Sequence, residues 1–230
     1  MLEGSLPFNE NDYEFEIEKP NQVELDSQIA LLKLRLKSDL PSGEQYNEPP
    51  VEEQDQTEKL STGFGFFAYT ADDREGTGVT YVGEWLNFKR HGRGVLRNHL
   101  QQWEYRGTFT CNQIDGFGQY LWKSGDTYVG WFNSQTQKEG FGSYTWASTG
   151  SKYEGFWQNN KKTGLGRYVY TDKSVYFGYY YNDKPDGIGI YKWPDGNFYQ
   201  GEWKNGVRSG VGKFKFSQQE SFYIGEFRNN

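Results

Sequence analysis

Tyr81-Val-Gly-Glu-Trp85, followed by Gly92-Arg-Gly94, is a two-part phrase that returns along the last two-thirds of this chain. Its first half recurs as Tyr105-Arg-Gly-Thr-Phe109, Tyr128-Val-Gly-Trp-Phe132, Tyr153-Glu-Gly-Phe-Trp157, Tyr176-Phe-Gly-Tyr-Tyr180, Tyr199-Gln-Gly-Glu-Trp203 and Tyr223-Ile-Gly-Glu-Phe227. The steps between the tyrosines are 24, 23, 25, 23, 23 and 24 residues. The second half recurs as Gly116-Phe-Gly118, Gly140-Phe-Gly142, Gly164-Leu-Gly166, Gly187-Ile-Gly189 and Gly210-Val-Gly212. A period that regular marks a tandem array of one small supersecondary unit. Such units touch mainly their neighbours and offer a long surface to partners, which points to a scaffold before it points to an enzyme.

Tyr, Gly and the second ring stand at positions 1, 3 and 5, so in a strand all three face one way. Glycine in the second half lets a ring lie on bare backbone and permits bends that a Cβ blocks. Between units lie turn signals such as Lys123-Ser-Gly125-Asp126, Ser148-Thr-Gly150 and Pro194-Asp-Gly196-Asn197. Each unit therefore reads as a β-hairpin. Successive hairpins pair into one elongated antiparallel sheet, an all-β fold.

Units of this form, Tyr-x-Gly-x-Trp followed by (Lys/Arg)-x-Gly-x-Gly and an Asp-Gly turn, resemble MORN repeats. The resemblance runs from about residue 63 to residue 228, with Gly63-Phe-Gly65 as the second half of a leading partial unit, six full units, and a trailing partial unit. Three stretches depart from the pattern: Leu100-Gln-Gln-Trp103 in place of an Asp-Gly turn, the spacer Asn133-Ser-Gln-Thr-Gln-Lys-Glu139, and a final unit holding only its first strand. An insert around Asp72-Asp-Arg-Glu75 separates the leading half-unit from Tyr81. In enzymes that carry such repeats the chemistry sits in a separate kinase or methyltransferase domain, and none fits within these 230 residues.

Residues 1–60 differ in kind. They carry 15 acidic against 5 basic residues, none of the eight tryptophans and two of the 29 glycines. This reads as a mostly disordered acidic arm and linker, too poor in rings and branched side chains to bury a core. One segment, residues 26–38, reads as a short helix, with Asp26 or Ser27 as cap, Lys33, Arg35 and Lys37 near its C-terminal end and Pro41 beyond it. Its Leu32, Leu34 and Leu36 suit a strand equally well, and both docking on the array and binding a partner stay open for it. No stretch approaches the roughly 20 apolar residues of a spanning helix. Cys111 is the single cysteine, consistent with a reducing compartment.

Chemistry is weighed against this background. The Gly-x-Gly pairs lead into aromatic strands, without the following helix that a dinucleotide fingerprint needs. His91, His99 and Cys111 match no zinc-ligand spacing, and His91 reads as a turn residue. The carboxylates recur from unit to unit as turn formers, whereas an active site is a single irregular feature. We therefore expect no enzyme, no cofactor and no metal. The expected interaction surface is the ring-bearing face: Trp85, Phe109, Phe132, Trp157, Tyr180 and Trp203. Tyr223, Gly225 and Phe227 mark an edge strand open to pairing with a second copy, an unrelated strand or the protein's own N-terminal arm. Lys89, Arg90, Arg93, Arg97, Lys161 and Lys162, with Arg167, are candidate contacts to anionic lipid or an acidic protein. Nucleic acid is not an expected partner, because the acidic arm repels phosphate.

The resemblance adds an expectation about setting. MORN proteins are prominent in ciliary axonemes, and Trp146-Ala-Ser-Thr-Gly-Ser-Lys-Tyr153 is similar to a segment of the radial spoke head members of that family. The leading expectation is a non-catalytic scaffold joining proteins in a large cytoskeletal assembly, such as a ciliary axoneme, in the cytoplasm. The alternatives are a peripheral tether on anionic phospholipid and an accessory subunit of a large enzyme complex.

Overall fold

The computed structural model describes residues 61–69, 78–218 and 221–230. The helix expected at 26–38 and the insert at 72–75 lie outside them. The described part belongs to the compact unit Pro49–Asn230 and is built from strands alone. In chain order these are β1 (Thr62–Ala68), β2 (Val79–Leu86), β3 (Lys89–Asn98), β4 (Trp103–Thr110), β5 (Gln113–Leu121), β6 (Thr127–Phe132) and β7 (Lys138–Thr145). They continue as β8 (Lys152–Gln158), β9 (Lys161–Val169), β10 (Val175–Tyr181), β11 (Lys184–Lys192), β12 (Phe198–Lys204), β13 (Val207–Phe216) and β14 (Ser221–Arg228). All fourteen form one sheet in sequence order, each antiparallel to the next. The expected all-β meander of hairpins is the fold.

Register follows from the repeat. One glycine of every strand lies opposite a glycine of the next, so Gly65, Gly83, Gly94 and Gly107 begin a ladder that crosses the sheet to Gly212 and Gly225. Two residues along each strand runs a second ladder, mostly tyrosine, including Tyr105–Tyr120–Tyr128–Tyr144–Tyr153–Tyr168–Tyr176. The glycine ladder exists because the tyrosine rings lie on it. A Cβ at Gly142 would stand 2.3 Å from the Tyr128 hydroxyl oxygen, and one at Gly166 2.4 Å from that of Tyr153. No real Cβ tolerates such an approach, so a larger residue there must displace a fully buried ring.

Each hairpin carries a register shift just after its first-strand glycine, for instance between Gly155 and Phe156. The tyrosine hydroxyl donates to the carbonyl at that kink: Tyr81 to Glu84 (2.9 Å), Tyr153 to Phe156 (3.0 Å) and Tyr199 to Glu202 (2.8 Å). A phenol that would otherwise be buried without a partner is satisfied, and so is a carbonyl at an interrupted ladder. The six tyrosines Tyr81, Tyr105, Tyr128, Tyr153, Tyr176 and Tyr199 have no exposed surface. Burial pushes the phenols of Tyr105, Tyr128, Tyr153 and Tyr176 far above the ordinary tyrosine range.

Two-residue hairpin loops close most units. Asn159-Asn160 and Asn182-Asp183 hold positive φ at both positions (49° and 67°, 46° and 70°), the backbone that right-twisted strands demand of a two-residue turn. The second turn residue also reaches back one unit. Asp183 donates its N–H to the Lys162 carbonyl (3.0 Å) and accepts the Lys162 N–H at its carboxylate (2.9 Å). Asn160 treats Lys138 the same way, Asn112 treats Arg90, and Asn230 treats Arg208. At two further turns the second residue brings no side-chain acceptor: Phe88 donates its N–H to the Ser61 carbonyl (3.1 Å), and Gly206 donates to that of Pro185 (2.8 Å), which has no N–H to satisfy. These clamps tie neighbouring hairpin tips and fix the residues two places before Gly92, Gly140, Gly164, Gly187 and Gly210.

Candidate functional site

Period two puts the tyrosine ladder and the glycine ladder on one face, which we term the core face. A third row on that face comprises the rings expected as the interaction surface. Trp85, Phe109, Phe132, Trp157, Tyr180 and Trp203 are there, but all are buried, from 1% exposed at Phe109 to 8% at Trp203. Each meets the tyrosine of its own unit edge to face, as Tyr153–Trp157 does at 5.1 Å, and also a ring of the unit before, Phe67 for Trp85 and a tyrosine for the other five. Tyr128–Trp157 stands at 5.7 Å and Tyr176–Trp203 at 5.1 Å. The Trp157 and Trp203 indoles donate to the carbonyls of Gly142 and Gly189 (3.2 Å each). These six rings cement units together and do not lie open to a partner.

The accessible rings of the core face form a fourth row, at the far end of the second strand in five of the six units and led by Trp103 at the start of β4. Trp103, Tyr120, Trp122, Tyr144, Trp146, Tyr168, Tyr170, Tyr191, Trp193, Phe214 and Phe216 run in unbroken succession, with neighbouring centroids 4.4 to 5.6 Å apart. All are half-buried except Phe216, which is exposed. The spacing has a simple source. Tyr120-Leu-Trp122, Tyr144-Thr-Trp146, Tyr168-Val-Tyr170, Tyr191-Lys-Trp193 and Phe214-Lys-Phe216 are rings two residues apart at a strand end, the second lying one residue past the strand in all but the last, and adjacent pairs are brought side by side by strand register. This signal was in the sequence, but only the first strand of each unit drew attention to its rings.

Cations are set into the same face. Lys162 Nζ sits 5.1 to 5.7 Å from the ring centroids of Trp146, Tyr153, Tyr168 and Tyr180. Lys138 Nζ sits 5.2 to 5.8 Å from Trp122, Tyr128, Tyr144 and Trp157, and the Arg208 guanidinium stands over Trp193, Tyr199, Phe214 and Phe227. Arg90 takes the equivalent place over Tyr69, Tyr81 and Phe109. Loss of solvation lowers the Lys138 and Lys162 pKa, opposed in both by the Asp183 carboxylate. The ring faces replace part of the lost hydration through their negative quadrupole. At the two remaining equivalent places stand Ile114 and Pro185.

The basic cluster expected as a lipid contact is thus divided by the structure. Arg90 is 4% exposed and Lys162 is set among rings, so neither belongs to a surface patch. Arg97 pairs with Glu104 at 2.6 Å, and Arg167 with Glu154 at 3.4 Å. Lys89, Arg93 and Lys161 remain exposed; Lys89 and Lys161 adjoin hairpin turns, while Arg93 lies within β3 on the opposite face. His91 lies within β3, not in a turn as expected, because the β2–β3 loop is only Asn87-Phe88. In β14, Tyr223 is 47% exposed where its counterparts have no exposed surface, while Phe227 still packs on Tyr199 at 4.8 Å. Among the described residues β14 pairs with β13 alone.

Irregular units shape the remaining relief. The spacer Asn133–Glu139 forms a five-residue loop, 133–137, between β6 and β7 instead of a two-residue turn. Ser134, Gln135 and Thr136 of that loop border a cleft of about 670 Å³ whose floor includes Leu96 and Ile114. Among the described residues no cluster of three or more His, Cys, Asp or Glu is arranged to hold a metal, and no helix is long and apolar enough to cross a membrane.

Comparison with known proteins agrees with this architecture. The model of the MORN repeat family matches residues 81–98, 105–127, 134–151, 153–175, 176–198 and 199–220. The chain is similar to MORN repeat-containing protein 3 of Xenopus laevis, 38% identical over 50 residues, a stretch spanning 22% of this chain and 21% of that protein. Among solved structures it resembles the TCP10 domain of Danio rerio CPAP in complex with a STIL peptide, at 11% identity, covering 73% of this chain and 72% of that one with a TM-score of 0.42. It also resembles the TCP10c domain of Drosophila melanogaster Sas-4, at 11% identity over 60% of this chain and 93% of that one, with a TM-score of 0.32. Likeness at that level carries no functional weight.

Proposed function

Starting from the fact that this chain belongs to the MORN-repeat family, whose arrays are protein- or membrane-interaction scaffolds, we propose that it is a non-catalytic scaffold. On this reading its partners are proteins of a large cytoskeletal assembly, and the docking surface is the fourth ring row of the core face. The file of eleven half-open rings from Trp103 to Phe216 is the observation that carries the proposal. Rings give large contact area at little entropy loss, and the recessed Lys138, Lys162 and Arg208 add fixed positive charge beside them. An extended partner segment with apolar side chains and interspersed carboxylates suits that surface. We place the assembly in the cytoplasm, with a radial-spoke-like position in a ciliary axoneme as the concrete version, on the similarity of residues 146–153 to radial spoke head proteins.

The test is quantitative affinity capture from the native cell, comparing the wild-type chain with Trp146→Leu/Trp193→Leu. Leucine retains apolar packing but removes two of the eleven rings. Loss of a discrete set of axonemal or other cytoskeletal proteins from the variant, with its melting temperature kept, supports the reading. Equal recovery of every partner by both chains removes the ring file as the docking surface. A vesicle-binding activity abolished by charge reversal of Lys89, Arg93 and Lys161 would transfer the assignment to a membrane tether.

A further inference from the structure

The second strand of each unit sets one residue at the base of the core-face rings, and the six copies are Arg90, Ile114, Lys138, Lys162, Pro185 and Arg208. At Lys138, Lys162 and Arg208 the side chain ends inside a box of four rings. One ring comes from the unit before, two from the residue's own unit and one from the unit after, as Trp146, Tyr153, Tyr168 and Tyr180 do around Lys162. The fifth unit has the box without the cation. Its rings are Tyr170, Tyr176, Tyr191 and Trp203, with Tyr170–Tyr191, Tyr191–Trp203 and Tyr176–Trp203 centroids 5.6, 6.2 and 5.1 Å apart. The corresponding pairs around Lys138 are 5.4, 6.2 and 5.7 Å apart. Pro185 at the base is half-buried and uncharged, and its closed ring ends well short of where a lysine Nζ reaches. Among the described residues no lysine or arginine stands over any of these four rings. Trp203 is 8% exposed, the most open of the six rings in its row. The second unit differs on both counts: Asn98 replaces one ring, and the branched Ile114 fills the base.

We propose that the box at Pro185 takes a lysine or arginine side chain from the protein that lies along the ring file. The inference rests on the reading of that file as the docking surface and adds the point at which the partner is anchored. The occupant is read from the chain itself, because the same four-ring arrangement takes a cation in three other units. Each ring turns the negative face of its quadrupole toward the centre, which favours a positive group there over an apolar or acidic one. Neighbouring cations are no obstacle, since Lys138 and Lys162 already occupy consecutive boxes. A partner side chain is selected over a free cation by position: Tyr170 and Tyr191 are themselves members of the file, so a chain following the file passes over the box. Successive boxes lie two strands apart, about 9.6 Å, which is close to three residues of an extended chain at ~3.3 Å each. The complementary partner sequence is therefore (Asp/Glu)-x-x-(Lys/Arg)-x-x-(Asp/Glu), with its carboxylates at Lys162 and Arg208 and its cation between them.

The test fills the box from within. In the full 230-residue chain, Pro185→Lys supplies the residue that neighbouring units carry, while Pro185→Ala gains the same backbone N–H and leaves the box open. In capture from the native cell, Pro185→Lys is expected to lose the file's partners at least ~10-fold and Pro185→Ala to keep them, with the melting temperature of both recorded. A readout that needs no partner follows the Trp203 indole N–H by NMR while n-butylammonium, the lysine side chain without its backbone, is titrated against neutral n-butanol. A saturating Trp203 shift with n-butylammonium, absent with n-butanol and absent from Pro185→Lys, is the expected result. A Trp203 that answers both probes alike, or answers n-butylammonium equally in wild type and Pro185→Lys, overturns the proposal. So do partners held equally by wild type and Pro185→Lys but lost from Trp146→Leu/Trp193→Leu, an outcome that leaves the docking reading standing. Partners held equally by all of these chains overturn both.

Discussion

Tyr153 and Trp131 belong to neighbouring units of one sheet and lie on opposite faces, the first with no exposed surface and the second 48% exposed. On the core face the chemistry is copied from unit to unit: a ring over two glycines, a hydroxyl on the carbonyl at the kink, a second ring against the unit before. On the outer face the equivalent positions vary from Glu84 to Thr108, Trp131, Phe156, Tyr179 and Glu202. The difference separates two demands on a repeat array. What every unit must have to stack is written on one face, and that leaves the other free to differ along the array. The core face nevertheless serves both ends, because the rings at its margin, from Trp103 to Phe216, stay half open while those at its centre are sealed.

The largest expected effect breaks the copied side. Gly142→Ala places a methyl into the ring and hydroxyl of Tyr128, and it should lower stability by about 3 kcal/mol or more, seen as a fall in melting temperature of roughly 10 °C. Gly150→Ala sits in a turn with nothing within 4 Å of its Cβ. Only the strain of its positive φ (67°) remains, and a loss of about 1 kcal/mol is expected there. If the two alanines cost the same, the glycine ladder is not set by ring contact.

Alkaline pH attacks the same face. The buried tyrosines have folded-state pKa values raised above the ordinary 10.0, with Tyr120, Tyr144, Tyr170 and Tyr199 at about 12 and Tyr105, Tyr128, Tyr153 and Tyr176 higher. The folded state then holds protons that the unfolded chain releases above pH 10. Stability is fully present below that pH and falls as pH rises toward the folded values, by up to about 1.4 kcal/mol per pH unit for each buried tyrosine. Lys138 and Lys162, with lowered pKa, act in the opposite direction, but they are two against many. Denaturant midpoints measured from pH 8 to 11.5 should be level at first and then drop steeply; a level profile throughout would contradict the burial of the phenols.

Tyr153→Phe sharpens the comparison along one face. It removes a 3.0 Å hydrogen bond and leaves the Phe156 carbonyl without it, at an expected loss of about 1 to 2 kcal/mol. Tyr223→Phe, at an exposed hydroxyl 3.4 Å from its acceptor, should change stability by less than ~0.5 kcal/mol. The smallest effect on folding is expected on the other face. Tyr179→Ser, at a ring 52% exposed, should shift stability by about 0.5 kcal/mol or less, as surface substitutions do.

How much of this was legible follows from the same two faces. The period, the hairpins, the single sheet and the ring-bearing face were all readable, because Tyr, Gly and ring at positions 1, 3 and 5 allow only one parity. Depth was not. Trp157 appears in a single unit as an open ring, and only the placement of Tyr128 from the preceding unit, at 5.7 Å, shows that it is covered on both sides. The cations were misjudged for a related reason. Lys162 has the parity of Gly164 and Gly166 and so must face the rings, but a lysine next to a hairpin turn is ordinarily solvated. The clamp from Asp183, 21 residues on in sequence, holds it instead at the base of four rings. The exposed outer rings Trp131 and Tyr179 were not legible as a feature, because each occupies a position held by Glu84, Thr108 or Glu202 in other units.

The central claim is that the open ring file of the core face, and not the basic turns, is where partners dock. Its most direct measurement is capture of native-cell proteins by wild-type chain, by Trp146→Leu/Trp193→Leu and by Lys89→Glu/Lys161→Glu, side by side, with melting temperatures recorded for all three. The account expects the ring variant to lose specific partners at least tenfold while the turn variant keeps them. Partners retained by the ring variant and lost from the turn variant would contradict it.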